Sequence, residues 1–108
     1  MSLGTNEMTL SITCGQDVNV TLEPYYYSQP HNSGQYYSYS MEGYCYNGYG
    51  NIPVLPKGLT FDTQTSILSG NVSSTNVTPE LNAGTFLVTV WDFSYCCWFT
   101  YVDISYTS

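Results

Sequence analysis

The sequence predicts an all-β protein, an antiparallel sandwich of about seven short strands, on three observations. Helix formers are scarce: Ala83 is the only alanine, Lys57 the only lysine, and arginine is absent, so helical propensity is low throughout. Apolar residues alternate instead with polar ones at a period of two. These alternating runs recur about every 8–12 residues, which is the spacing of a sandwich. A chain of 108 residues is one domain by length, taken as 1–108.

The elements follow in order. Met8, Leu10 and Ile12 alternate with Thr9, Ser11 and Thr13; after Cys14-Gly15-Gln16, Val18, Val20 and Leu22 alternate with Asp17, Asn19 and Thr21. The short connection predicts a hairpin between these two half-buried strands. Residues 24–51 are different, rich in tyrosine and broken by Pro, Gly, Asn and Ser. A strand is expected near 36–41 and another near 43–46, with loops on both sides. Beyond Pro53, Leu59 and Phe61 alternate with Thr60 and Asp62, a polar turn follows, and Ile67 to Val72 returns as a short strand. Residues 73–84 read as a polar loop. In Thr85 to Trp91, Phe86, Val88 and Val90 share one face while Leu87, Thr89 and Trp91 share the other. The last strand runs from Trp98 to Tyr106, with Trp98, Thr100, Val102, Ile104 and Tyr106 on one side.

Composition narrows the function. Charged residues make up 8% of the chain and the net charge is −7, whereas aromatics make up 17%, twelve of them tyrosines. Intrinsic disorder pairs high charge with few aromatics and does not fit. Nucleic acid is excluded as a partner because phosphate neutralisation needs several Lys or Arg. Anionic membrane surfaces are disfavoured for the same reason, and no apolar run approaches the roughly 18 residues that span a bilayer. Met1 to Glu7 lacks a basic segment followed by an apolar one, so it does not read as a secretory signal. The expectation is a complete module assembled without export, or a domain whose signal was removed and to which Met1 was added.

Residues 55–92 carry a resemblance. Leu55-Pro56-Lys57-Gly58-Leu59-Thr60-Phe61-Asp62-Thr63-Gln64-Thr65-Ser66-Ile67-Leu68-Ser69-Gly70, followed by Ala83-Gly84-Thr85-Phe86-Leu87-Val88-Thr89-Val90-Trp91-Asp92, resembles the signature of immunoglobulin-like (cadherin-like, dystroglycan-type) domains. The resemblance implies an Ig-like sandwich and a non-catalytic module of surface proteins, adhesins or virions. Gly58 suits a tight entry into a strand and Gly70 a bulge or bend, while Asp62 and Thr65 can hydrogen-bond the turn backbone. Two positions depart from the signature. Ser66 stands where the turn glycine is usual, and Asn71-Val72 stands where Thr-Pro is usual.

Chemistry-bearing residues are few. His31, between Pro30 and Asn32, reads as an exposed loop residue rather than a base. Cys14, Cys45, Cys96 and Cys97 allow three two-bridge pairings, and buried thiols or a single disulfide remain equally open. Neither their spacing nor the single acids Asp17, Asp62, Asp92 and Asp103 read as a zinc or calcium site, so no metal or cofactor is expected. Asn19, Asn71 and Asn76 begin sequons, Asn76 the most accessible. Tyr25, Tyr26, Tyr27, Tyr36, Tyr37, Tyr39, Tyr44, Tyr46 and Tyr49 are the expected contact surface, since tyrosine offers large area at low entropic cost. The expectation is a binding protein and not an enzyme: a phage capsid cement, decoration or tail accessory on the virion surface. It would contact other structural subunits or copies of itself as a homo-oligomer. The alternative is a domain of an extracellular cell-surface adhesin or carbohydrate-binding protein.

Overall fold

The computed structural model describes residues 7–22, 24–26, 29–30, 36–45, 52–92 and 97–108. Two sheets pack face to face. The larger contains β1 (Glu7–Thr13), β3 (Tyr25–Tyr26), β4 (Gln29–Pro30), β5 (Tyr36–Tyr44), β8 (Gly84–Asp92) and β9 (Cys97–Thr107); the smaller contains β2 (Asp17–Thr21), β6 (Leu59–Asp62) and β7 (Ile67–Asn71). Strand order is β4-β3-β9-β8-β5 in the first and β2-β7-β6 in the second, and β1 runs along the same edge of β9 as β3. This is an all-β Ig-like sandwich.

Alternation places the core as expected. Ile12, Phe86, Val88, Val102 and Ile104 point inward from the larger sheet, against Leu59 and Leu68 of the smaller one and Leu22 and Val72 beside it. Each such side chain contributes roughly 1.5–3 kcal/mol on burial.

The expected hairpin at residues 14–16 does not form. β1 pairs parallel with β9, Glu7 opposite Tyr101 through Thr13 opposite Thr107, whereas β2 pairs antiparallel with β7. Cys14 N–H donates to Thr107 O and Gly15 N–H to Val72 O, both at 2.8 Å, so consecutive residues bond to opposite sheets. Both strands face the core, but from opposite sides, and period-two alternation is the same for a hairpin and for a crossover. The two strands expected over residues 36–46 are one, β5. The polar loop 73–84 holds a 3₁₀ turn at Ser74–Asn76 and a short helix α1 at Pro79–Asn82. Asn82 secures α1, its amide donating to Val54 O at 3.0 Å and its carbonyl accepting from Thr78 N–H.

The signature residues act at a backbone crossing. Gly58 and Gly70 have φ of +108° and +133°, and a Cβ on Gly70 would lie 1.9 Å from Gly58 O. Only glycine satisfies both the left-handed backbone and that approach. Asp62 forms the expected turn contact, its carboxylate accepting from Gln64 N–H at 2.8 Å. Ser66 occupies the glycine-like position with φ +61° and is fully buried. Its hydroxyl donates to Leu22 O at 2.5 Å and its carbonyl accepts from Leu22 N–H at 2.8 Å. Those two bonds offset the roughly 1–2 kcal/mol that a left-handed L-residue costs.

Candidate surface on the larger sheet

Strand parity sets the outer face of the larger sheet. On β9 the inward positions are Thr100, Val102 and Ile104, so Phe99, Tyr101, Asp103 and Ser105 point outward. Register aligns them in rows: Ser40, Thr89 and Phe99; then Glu42, Leu87, Tyr101 and Glu7; then Tyr44, Thr85, Asp103 and Thr9.

Within these rows three rings meet. The Tyr44 and Tyr101 centroids are 5.1 Å apart at 57°, and those of Phe99 and Tyr101 are 5.7 Å apart at 74°. Tyr44 and Tyr101 are not direct cross-strand partners. They reach each other diagonally across β8, past the small Thr85, over a span long side chains can bridge. Offset and edge-on ring pairs of this kind add about 0.5–1.5 kcal/mol each beyond area burial. Exposed Glu7, Glu42 and Asp103 surround the half-buried rings. Thr85 Oγ1 donates to Asp103 Oδ1 at 2.5 Å, and Ser40 and Thr89 hydroxyls bond at 2.6 Å.

The tyrosines named from the sequence divide. Tyr44 joins this cluster. Tyr39 belongs to no surface: it is 3% exposed in the core, with its N–H bonded to Thr63 O at 2.9 Å. Alternation explains this: from Tyr39 opposite Val90 to Tyr44 opposite Thr85 the ladder is unbroken, so Tyr39 shares the inner face with Met41 while Tyr44, five residues on, takes the outer one. The backbones of Tyr25 and Tyr26 lie in β3, Tyr25 opposite Phe99, and those of Tyr36 and Tyr37 in β5; their side chains are outside the described set. Tyr27, Tyr46 and Tyr49 lie outside the described residues, as do His31 and Cys96. The sequence pattern does not mark Phe99 and Tyr101 as surface residues, although the outward run Phe99-Tyr101-Asp103 is legible once Val102 and Ile104 are placed inside.

The remaining polar groups are structural. Cys14 is an unbridged, half-buried thiol, Cys45 is half-buried after β5, and of Cys97 only the backbone course in β9 is described. Asp17 accepts from the Asn71 amide at 2.9 Å, so this sequon asparagine is engaged, whereas Asn19 and Asn76 are exposed. Among the described residues, no three His, Cys, Asp or Glu side chains come together in a way that could hold a metal ion. On the inner face, the Tyr106 hydroxyl is enclosed with no hydrogen-bond partner among the described residues. Burial first, and the Cys14 thiol second, push its pKa up to about 12.

Comparison with known proteins agrees with this architecture. Residues 2–96 match the family model described as putative Ig domain, and the chain belongs to that family. Modules of this kind are generally binding or structural units rather than enzymes. No curated protein matches the chain. Among solved structures, the chain is similar to part of a nucleoside hydrolase-related hypothetical protein from Saccharophagus degradans that is associated with carbohydrate metabolism. The likeness has 18% identity and a TM-score of 0.48, and covers 93% of this chain but 22% of that protein's length.

Proposed function

We propose, from membership in the putative Ig domain family, that this chain is a non-enzymatic module acting by protein–protein contact, with the outer face of the larger sheet as its contact surface. The observation that carries the reading is the Tyr44–Tyr101–Phe99 cluster. The solvent face of an antiparallel sheet is ordinarily polar, and interfaces are enriched in tyrosine and phenylalanine. A virion accessory, either a capsid cement or decoration protein or a tail component, is the setting we favour. With 8% charged residues, packing and strand pairing hold the fold in place of ion pairs that salt would screen. That suits a particle exposed to varying ionic strength.

A second reading, an adhesin or carbohydrate-binding domain, is favoured by the same rings standing beside the Thr85–Asp103 hydrogen-bonding pair. Two measurements separate the readings. Mass spectrometry of purified particles, with the genes adjoining the coding sequence, is expected to find the chain in the particle and capsid or tail genes beside it. A larger parent gene of repeated adhesin-like domains would overturn the virion setting. Saturable glycan-array binding lost on Tyr44→Ala would replace protein contact with sugar recognition.

A further inference from the structure

Among the described residues, the outer face combines rings and carboxylates without a cation of its own. In the second row Glu42 and Glu7 flank Leu87 and Tyr101; one position along β9 on the same face lies Asp103. The chain's single Lys or Arg, Lys57, lies in the turn before β6, in the other sheet. Between Glu7, Thr9, Thr85, Tyr101 and Asp103 lies a cleft of about 40 Å³, room for one small polar head group. Thr85 occupies one oxygen of Asp103 and orients the carboxylate, whose other oxygen is left to accept.

Resting on the contact-surface reading above, we infer that this face recognises a basic extended segment of a partner protein, seating an arginine or lysine head in the cleft. The occupant follows from charge and shape. An acidic face on a chain of net charge −7 opposes a second copy of itself and favours a cationic partner. A guanidinium can stack on Tyr101 while its fork donates to Asp103 and Glu7, which makes arginine the better fit; lysine satisfies the charge without the fork. Leu87, Phe99 and Tyr44 then cover the neighbouring side chains of the segment.

The test titrates the full chain with a short capped peptide carrying two arginines, against the same peptide with both replaced by glutamine, at low and physiological salt. Saturable binding of the arginine peptide is expected, at least tenfold tighter than the glutamine peptide. Glu7→Gln with Asp103→Asn is expected to weaken it about tenfold. Asp17→Asn with Glu80→Gln, which removes equal charge elsewhere, is expected to change it less than twofold. Tyr101→Leu, which keeps the apolar bulk, is expected to weaken it three- to fivefold. Equal binding of the two peptides, or equal effects of the two charge-removing pairs, would overturn the inference. So would tight binding of maltohexaose at the same face. Recovery of the chain in particles alongside a negative peptide result would leave the contact module standing and remove only its basic partner.

Discussion

The glycine crossing of the smaller sheet and the aromatic face of the larger one are built on opposite terms. At Gly58 and Gly70 the backbone dictates the residue, because a Cβ on Gly70 would lie 1.9 Å from Gly58 O and one on Gly58 would lie 2.4 Å from Asn71 O. On the outer face the backbone dictates only direction, and the side chains of β1, β5, β8 and β9 decide what the surface does. A constraint of the first kind leaves a contiguous signature in the chain. A surface of the second kind is scattered over nearly a hundred residues, from Glu7 to Asp103. The difference separates what specifies the fold from what is available to function.

The sharpest way to break that contrast is Gly70→Ala. It sets a methyl group against Gly58 O and forces an L-residue to φ +133°. The combined clash and backbone strain cost on the order of 4 kcal/mol, against a domain stability of about 5–15 kcal/mol. Urea unfolding is expected to show a large fall in midpoint or no folded protein. Gly15→Ala is the control, since Gly15 also has a positive φ, +88°, but a Cβ there meets nothing within 4 Å. It is expected to cost about 1 kcal/mol. Equal losses in the two variants would show that conformation, not the crossing, makes Gly70 necessary.

Ser66 tests the same corner more gently. Ser66→Ala keeps the left-handed strain and strips Leu22 O of its buried donor, an expected loss of about 1–3 kcal/mol. Ser66→Gly loses the same hydrogen bond but relieves the backbone, so it is expected to be less destabilising by about 1 kcal/mol. If alanine proved the milder change in chemical denaturation, the left-handed backbone at this position would not be a source of strain, since both variants lack the hydroxyl.

These corners also show how far the sequence could be read. The strands from Leu59 to Val90 were legible because alternation and turn chemistry are local. The parallel β1–β9 pair was not, since Met8-Leu10-Ile12 reads identically whichever neighbour it takes. Tyr39 and Tyr44 look alike in a tyrosine-rich segment, and which of them enters the core is settled only once β5 is placed opposite β8, with Tyr39 at Val90 and Tyr44 at Thr85. Phe99 and Tyr101 entered the candidate site because β8 holds them near Tyr44, a proximity separated by more than fifty residues of chain.

On the outer face, stability is expected to be tolerant. Tyr101→Ala forfeits two ring contacts at a half-buried position, about 1–3 kcal/mol, while removing the centre of the proposed contact surface. Thermal unfolding alongside partner or peptide binding checks this. A loss of several kcal/mol would make Tyr101 a structural residue and move the contact surface elsewhere.

Tyr106, on the opposite face of the same strand, gives the smallest effect at neutral pH and a distinct one in alkali. Its hydroxyl is enclosed without a partner among the described residues, so the neutral phenol gains little there and the phenolate is strongly disfavoured. With the folded pKa at about 12 and the ordinary tyrosine value of 10.0 in the unfolded chain, the unfolded state releases its proton first as pH rises. The contribution of this group is therefore fully present below pH 10, falls from pH 10 through 12, and then levels off. Tyr106→Phe removes both the unsatisfied hydroxyl and the titration. The variant is expected to be as stable as the parent or slightly more so at pH 7, and to lose less stability between pH 10 and 12. Parallel curves of unfolding free energy against pH for the two proteins would show that Tyr106 is not the group that titrates. Because the other tyrosines are common to both, the difference between the curves isolates the Tyr106 phenol.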